Sequence, residues 1–208
     1  MAGMRRFERD VKPRLTGRAF LVRYADDAVL VFSCEEDAHR VMEVLPKRFG
    51  RYGLRLHPDK TRLVEFRRPD RRRPESGGRP GTFDLLGFTH YWGLSRKGKW
   101  VVMRKTAGDR LGRALRRISH WCRLKRHQPI KVQHQGLVQK LRGHIGYFGI
   151  TGNFRGVQHF CKEAVHVWRK WLSRRSQRAR MPWDRMRRLL ERYPLPRPQI
   201  LRPYCPPQ

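Results

Sequence analysis

The chain has 208 residues, with 49 Lys plus Arg against 17 Asp plus Glu, for a formal net charge of +32. That imbalance argues against an ordinary metabolic enzyme, and a content of 38% hydrophobic and 11% aromatic residues argues against a disordered basic tail. A folded body this cationic repels itself unless a polyanion neutralises it, and nucleic acid does so with release of its condensed counterions.

In chain order, Ala19–Tyr24 and Ala28–Ser33 are β-prone apolar runs separated by Ala25-Asp26-Asp27. Two such runs around a short acidic turn predict a β-hairpin. Ser33 followed by Glu35-Glu36-Asp37 predicts an N-cap with acids on the positive end of a helix. Ala38, Val41, Met42, Leu45 and Phe49 then recur at helical spacing, with Pro46 expected to break or kink the helix. Thr61–Phe66 alternates like a strand, and Arg67–Gly81 reads as an Arg-, Pro- and Gly-rich loop. A second hairpin is expected from Phe83–Tyr91 and Trp100–Arg104 around a turn at Arg96-Lys97-Gly98.

The remainder is helical in pattern. Leu111, Ala114, Leu115, Ile118 and Cys122 form one apolar stripe, and Leu137, Val138, Leu141, Ile145 and Phe148 form the next. Val157, Phe160, Ala164, Trp168, Trp171 and Leu172 mark the longest helix, and Pro182–Arg192 a short fourth. Trp168 and Trp171 could stack on bases, but their place on an apolar stripe favours core packing, as it does for Trp100 and Phe88. The tail from Pro194 is rich in proline and is expected to lie extended.

Charge divides the chain further. Residues 1–106 carry 25 basic and 13 acidic residues, whereas residues 107–208 carry 24 and 4. The expected domains are 1–106, 107–193 and a tail at 194–208. Arg110, Arg113, Arg116 and Arg117 crowd two helical turns with only Asp109 nearby, a repulsion that a bound anion would relieve. Arg174, Arg175, Arg178 and Arg180 repeat the pattern. No strongly apolar face accompanies these basic ones, which disfavours a membrane surface, and runs such as Ala28–Phe32 are far short of a bilayer span. The charged opening segment does not resemble a signal peptide, and four scattered cysteines without a C-x-x-C pair point to a reducing, cytoplasmic setting. His159, Cys161 and His166 lack paired zinc-ligand spacing and read better as flanks of a core helix.

Adjacent carboxylates at a hairpin tip are common in solvated turns, and they also suit a divalent cation held by oxygen ligands. The flanks favour the second reading. Tyr24-Ala25-Asp26-Asp27 between apolar strands resembles the Y-x-D-D box of reverse transcriptases. Gly53-Leu54-Arg55-Leu56-His57-Pro58-Asp59-Lys60-Thr61 resembles the motif that follows it, and Phe83-Asp84-Leu85-Leu86-Gly87-Phe88 resembles the primer grip. Leu141-Arg142-Gly143-His144 with Tyr147-Phe148 resembles the maturase-specific region of group II intron proteins, with His144 where that family more often has tryptophan. Together, from about residue 7 to residue 192, the chain resembles a bacterial group II intron reverse transcriptase/maturase.

The resemblance implies an α+β fold: a partial polymerase palm of antiparallel hairpins plus a helix, then an all-α thumb and maturase bundle. It implies Asp26 and Asp27 as catalytic ligands of Mg²⁺, two ions in a complete site, joining nucleotides by in-line displacement. Tyr24, Ala25 and Lys60 would meet an incoming dNTP, with Lys60 near its phosphates. Leu86, Gly87 and Phe88 would form the primer grip, Gly87 letting a strand approach the primer backbone. Arg104, Lys105, Arg110, Arg113, Arg116, Arg117 and Arg142 would hold template–primer or group II intron RNA. The family's third metal-binding aspartate and its fingers come from upstream of the box, where only 23 residues precede Tyr24 and Asp10 is a poor substitute. The expectation is therefore a truncated polymerase, inactive alone unless an upstream polymerase fragment completes it. The alternative is a non-catalytic RNA-binding maturase fragment that assists splicing.

Overall fold

A computed structural model describes residues 7–25, 27–57, 61–69, 81–176 and 180–203. It divides into two compact units, Met1–Leu86 and Gly87–Gln208. This partition by packing differs from the one charge suggests near Thr106, because it groups the second hairpin with the helices.

The first unit opens with a π-helical turn at Phe7–Val11 and a 3-10 turn at Lys12–Arg14. Strands β1 (Ala19–Tyr24) and β2 (Asp27–Phe32) pair antiparallel, with Ala19 opposite Phe32 and Tyr24 opposite Asp27. Side-chain alternation puts Ala19, Leu21, Leu30 and Phe32 on one face, where they are buried or half-buried. Helix α1 (Glu35–Gly50) lies against β2. Two expectations are corrected here. Ser33 does not cap α1, because its Oγ accepts the Arg18 backbone N–H at 2.7 Å, and Cys34 occupies the cap position. Pro46 does not end the helix, which runs on to Gly50; the ring removes only one backbone donor.

The buried carboxylate of Asp37 ties α1 to the turn before β1. It accepts the Gly17 N–H at 2.8 Å and the Thr16 hydroxyl at 3.0 Å, and the Gly17 bond holds its pKa below the ordinary value. Residues 61–66 form no strand. They are held instead by side chains, with Phe66 edge-on to Phe83 at 5.0 Å and Arg62 Nη2 donating to the Thr82 carbonyl at 3.3 Å. Most of the expected loop at Arg67–Gly81 lies outside the described residues.

The expected strand Phe83–Tyr91 is interrupted. Strand β3 (Phe83–Leu85) ends at Leu86 and Gly87, both with left-handed backbone at φ 52° and 78°. Consecutive positive φ values define a tight turn, which a continuous strand excludes.

In the second unit, β4 (Phe88–Leu94) and β5 (Trp100–Thr106) form an antiparallel hairpin around the expected turn, where the Gly98 N–H donates to the Ser95 carbonyl at 2.8 Å. Among the described residues four helices follow: α2 (Gly108–Lys125), α3 (Ile130–Phe148), α4 (Phe154–Leu172) and α5 (Trp183–Arg192). Their apolar stripes meet in one core containing Ile118, Leu137, Leu141, Phe160, Trp168 and Met186. Each large side chain buried there contributes about 1.5–3 kcal/mol.

Two polar side chains that enter this core, Gln133 and Asn153, are matched. Gln133 accepts the Trp168 indole N–H at 3.0 Å and donates to the Gln128 carbonyl at 2.8 Å, which fixes the loop between α2 and α3. Asn153 accepts the Thr106 N–H at 2.9 Å and donates to the Phe148 carbonyl at 2.8 Å, joining the end of β5 to the α3–α4 connection. Phe88 stacks on Tyr147 and tilts against Phe148, seating the hairpin on the end of α3. The tail at 194–203 has no regular helix or strand and makes one parallel bridge, Ile150 to Arg202. Among the described residues no helix is long and apolar enough to cross a membrane.

Candidate nucleic-acid and nucleotide-transfer site

The first hairpin presents its end to solvent. Tyr24 and Asp27 pair across the strands and are both exposed, on the face that also carries Phe20, Val22, Val29 and Val31. Asp27 therefore sits at the start of β2 rather than inside the connecting turn. Ala25 takes a left-handed backbone at φ 49°, and its carbonyl accepts from Arg23 Nε at 3.0 Å. That hydrogen bond ties the Arg23 guanidinium to the turn backbone, and alternation places Arg23 on the other face from Asp27.

Asp26 and Lys60 lie outside the described residues, so their side chains are not placed. Among the described residues no group of three or more His, Cys, Asp and Glu side chains comes together to hold a metal ion. Asp27 supplies the kind of donor Mg²⁺ takes, an exposed carboxylate with room for water and phosphate oxygens. With Asp26 it could supply the one or two carboxylates that ion commonly uses.

The primer-grip residues are described in full. Gly87 is required by its positive φ, not by closeness of neighbours. A Cβ there would meet Arg110 and Phe148 at 3.6 Å, an ordinary contact. Gly87 thus makes a turn at the place where the resemblance implies a primer grip. Phe88 is buried, as expected of a core residue.

The nominated basic residues differ in availability. Asp109 forms an ion pair with Arg113 and lies 4.0 Å from Arg110. Arg116, Arg117 and Arg142 are exposed, and no ion pair involves them among the described residues. Arg104 is half-buried, and Lys105 lies over the Tyr91 ring at 5.3 Å. Of the later cluster, Arg175 is spent on structure, donating to the carbonyls of Arg126 and Gln128, and Arg178 lies outside the described residues. Trp168 is fully buried and Trp171 donates to Ser119 Oγ at 3.0 Å, so both serve packing.

Sequence reasoning weighed His159 only against zinc ligation and passed over the other exposed side chains of α4 and α5. Arg155, His159 and Lys162 project from α4 off its apolar stripe, and Arg185, Arg187 and Arg188 cover α5. The signal was present in the 155/159/162 spacing, which is helical, but the tryptophans of the same helix drew the reading to its buried face.

Residues 2–90 match the family model described as reverse transcriptase (RNA-dependent DNA polymerase). No curated protein matches the chain. The match covers the first hairpin, α1 and β3, so this segment is a reverse-transcriptase-like domain, followed by a helical region of high positive charge.

Proposed function

We propose that these residues are part of a group II intron reverse transcriptase/maturase and that, by themselves, they bind structured RNA without joining nucleotides. The observation that carries this reading is the coupling of two features in one chain. A reverse-transcriptase-like segment presents Tyr24 and Asp27 at an exposed hairpin end, and a well-packed helical unit offers Arg116, Arg117 and Arg142 to solvent.

In a complete polymerase, Asp26 and Asp27 would hold Mg²⁺, which when bound neutralises phosphate oxygens in the displacement. Tyr24 and Ala25 would meet the incoming nucleotide, and Lys60 would offset charge on the leaving phosphates. The helical unit would clasp intron RNA or template–primer through its arginines. Among the described residues no group of three metal-ligating side chains comes together, and this supports RNA binding as the activity of these residues alone.

The test measures RNA affinity against salt together with primer extension in Mg²⁺. The logarithm of affinity should fall linearly with the logarithm of salt, by about 0.7–0.9 per phosphate engaged. No template-dependent extension should occur. Salt-independent binding would contradict the RNA reading, and robust extension by the purified protein would contradict the incomplete site.

A further inference from the structure

The helical unit holds an open groove of about 760 Å³ between α4 and the proline-rich tail. One wall is the exposed row Arg155, Gln158, His159 and Lys162. Positions 155 to 162 span about 10 Å of helix axis, so their charges follow one another along the groove. The opposite wall is the tail at 194–198, where three prolines alternate with Leu195 and Arg197. Val165 and Leu190 contribute apolar surface between the walls. Among the described residues no carboxylate lines the groove.

The tail wall is held at both ends. The Pro194 carbonyl lies 2.8 Å from His134 Nε2, and the Gly149 carbonyl accepts the N–H groups of Leu201 and Arg202 at 2.8 and 3.0 Å. Gly149 permits this closeness, since a Cβ there would stand 2.8 Å from the Gln199 carbonyl. Proline fixes φ and lacks an N–H, so Pro194, Pro196 and Pro198 make the wall stiff and leave it few backbone donors. Such a groove is formed before any ligand arrives, which lowers the ordering cost of binding.

Its chemistry suits a ligand that carries both phosphates, for the cations of the two walls, and flat apolar bodies, for the prolines and aliphatic side chains. An RNA duplex keeps its bases stacked inside and offers nothing to the apolar surface. Unpaired RNA exposes both parts, and its bases can lie on flat or apolar side chains while an amide reads their edges. Gln158 is such an amide at the groove wall. A short acidic peptide answers the cations but leaves the apolar strip without a required partner.

We propose that the groove between α4 and the 194–198 tail holds an unpaired stretch of RNA, with phosphates on Arg155, Lys162 and Arg197 and a base laid against the prolines, Val165 and Leu190. This rests on the RNA-binding reading and adds to it a second site, apart from the arginines of α2, with its own preference for unpaired strands.

The experiment titrates the full chain by fluorescence anisotropy with a labelled mixed-sequence single-stranded RNA and with an RNA duplex of equal length. Wild type is compared with Arg155→Gln/Lys162→Gln/Arg197→Gln. All three side chains are exposed, and circular dichroism checks that the fold is kept. The variant should lose about tenfold in single-strand affinity and about two units of salt slope, with duplex affinity falling less than about threefold. Equal losses on both RNAs, or loss on neither, would overturn the groove assignment while leaving RNA binding standing. Polyglutamate binding that needs the three cations, with single-strand binding unchanged, would assign the groove to acidic peptides instead. Absence of binding to either RNA by wild type would overturn the broader reading and this one together.

Discussion

The two units bury their apolar side chains to different degrees, and the difference separates what each can do alone. Among the described residues, Phe7, Ala19 and Ala38 are the buried hydrophobics of the first unit, whereas the second encloses Trp168, Phe160, Leu137, Leu141, Ile145 and others around one centre. The first unit instead shows solvent an apolar hairpin face, with Phe20 at 56%, Val22 at 53% and Tyr24 at 67% exposure. A two-stranded hairpin with one uncovered apolar face is marginal in water. The helical unit is a platform that can present charges, and the hairpin of the first unit is two strands with an apolar face left to solvent.

The largest effect should come from opening the helical core. Trp168→Ala should destabilise the second unit by about 3–5 kcal/mol in urea denaturation, from lost packing and the cavity left behind. Phe20→Ala on the exposed hairpin face should change stability by less than about 1 kcal/mol. Comparable effects of the two would erase the distinction between the units.

A smaller effect concerns protons. Burial lowers the His144 pKa from 6.5 to about 4, and the ring lies 3.5 Å from Phe160 with its Nε2 buried and without a hydrogen-bond partner among the described residues. The folded unit therefore binds fewer protons than the unfolded chain between those values. Its stability should be full above pH 6.5 and decline as pH falls toward 4, by about 1–2 kcal/mol once partial exposure is discounted. His144→Phe should flatten that slope in thermal melts, and an unchanged slope would show that other groups set it. Asp37 in the first unit works in a lower window. Its stabilising bonds are kept above the ordinary aspartate range and are lost only as pH drops through its lowered pKa.

The smallest effect sharpens the hairpin side. Ala25 holds a left-handed backbone that glycine adopts without strain, so Ala25→Gly should stabilise the first hairpin by about 0.5–1 kcal/mol. Slower proteolysis of the first unit would check it, and faster cleavage would count against the turn geometry.

How much of this was legible depended on periodicity. The helical stripes at Leu111–Cys122, Leu137–Phe148 and Val157–Leu172 were readable because core burial repeats every three to four residues, and the structure buries Ile118, Leu141 and Trp168 as that spacing implies. The first hairpin was readable from two apolar runs around a polar turn. Thr61–Phe66 misled because alternation describes a strand only when a neighbour supplies a ladder, and there side chains hold the segment. The Leu86–Gly87 turn was hidden by a leucine in a conformation it rarely takes. The groove was invisible in the linear sequence, because its walls are more than thirty positions apart and meet only when the tail folds back to Gly149.

If the helical unit grips RNA through cations the fold leaves available, those cations must set both affinity and its salt dependence. The direct measurement compares the salt dependence of RNA affinity for wild type and Arg116→Gln/Arg117→Gln/Arg142→Gln, with structured RNA as the probe. The variant should bind more weakly at every salt concentration, with a slope shallower by about two to three units. A variant whose affinity and slope both match wild type would show that the charge on this unit answers to something other than nucleic acid.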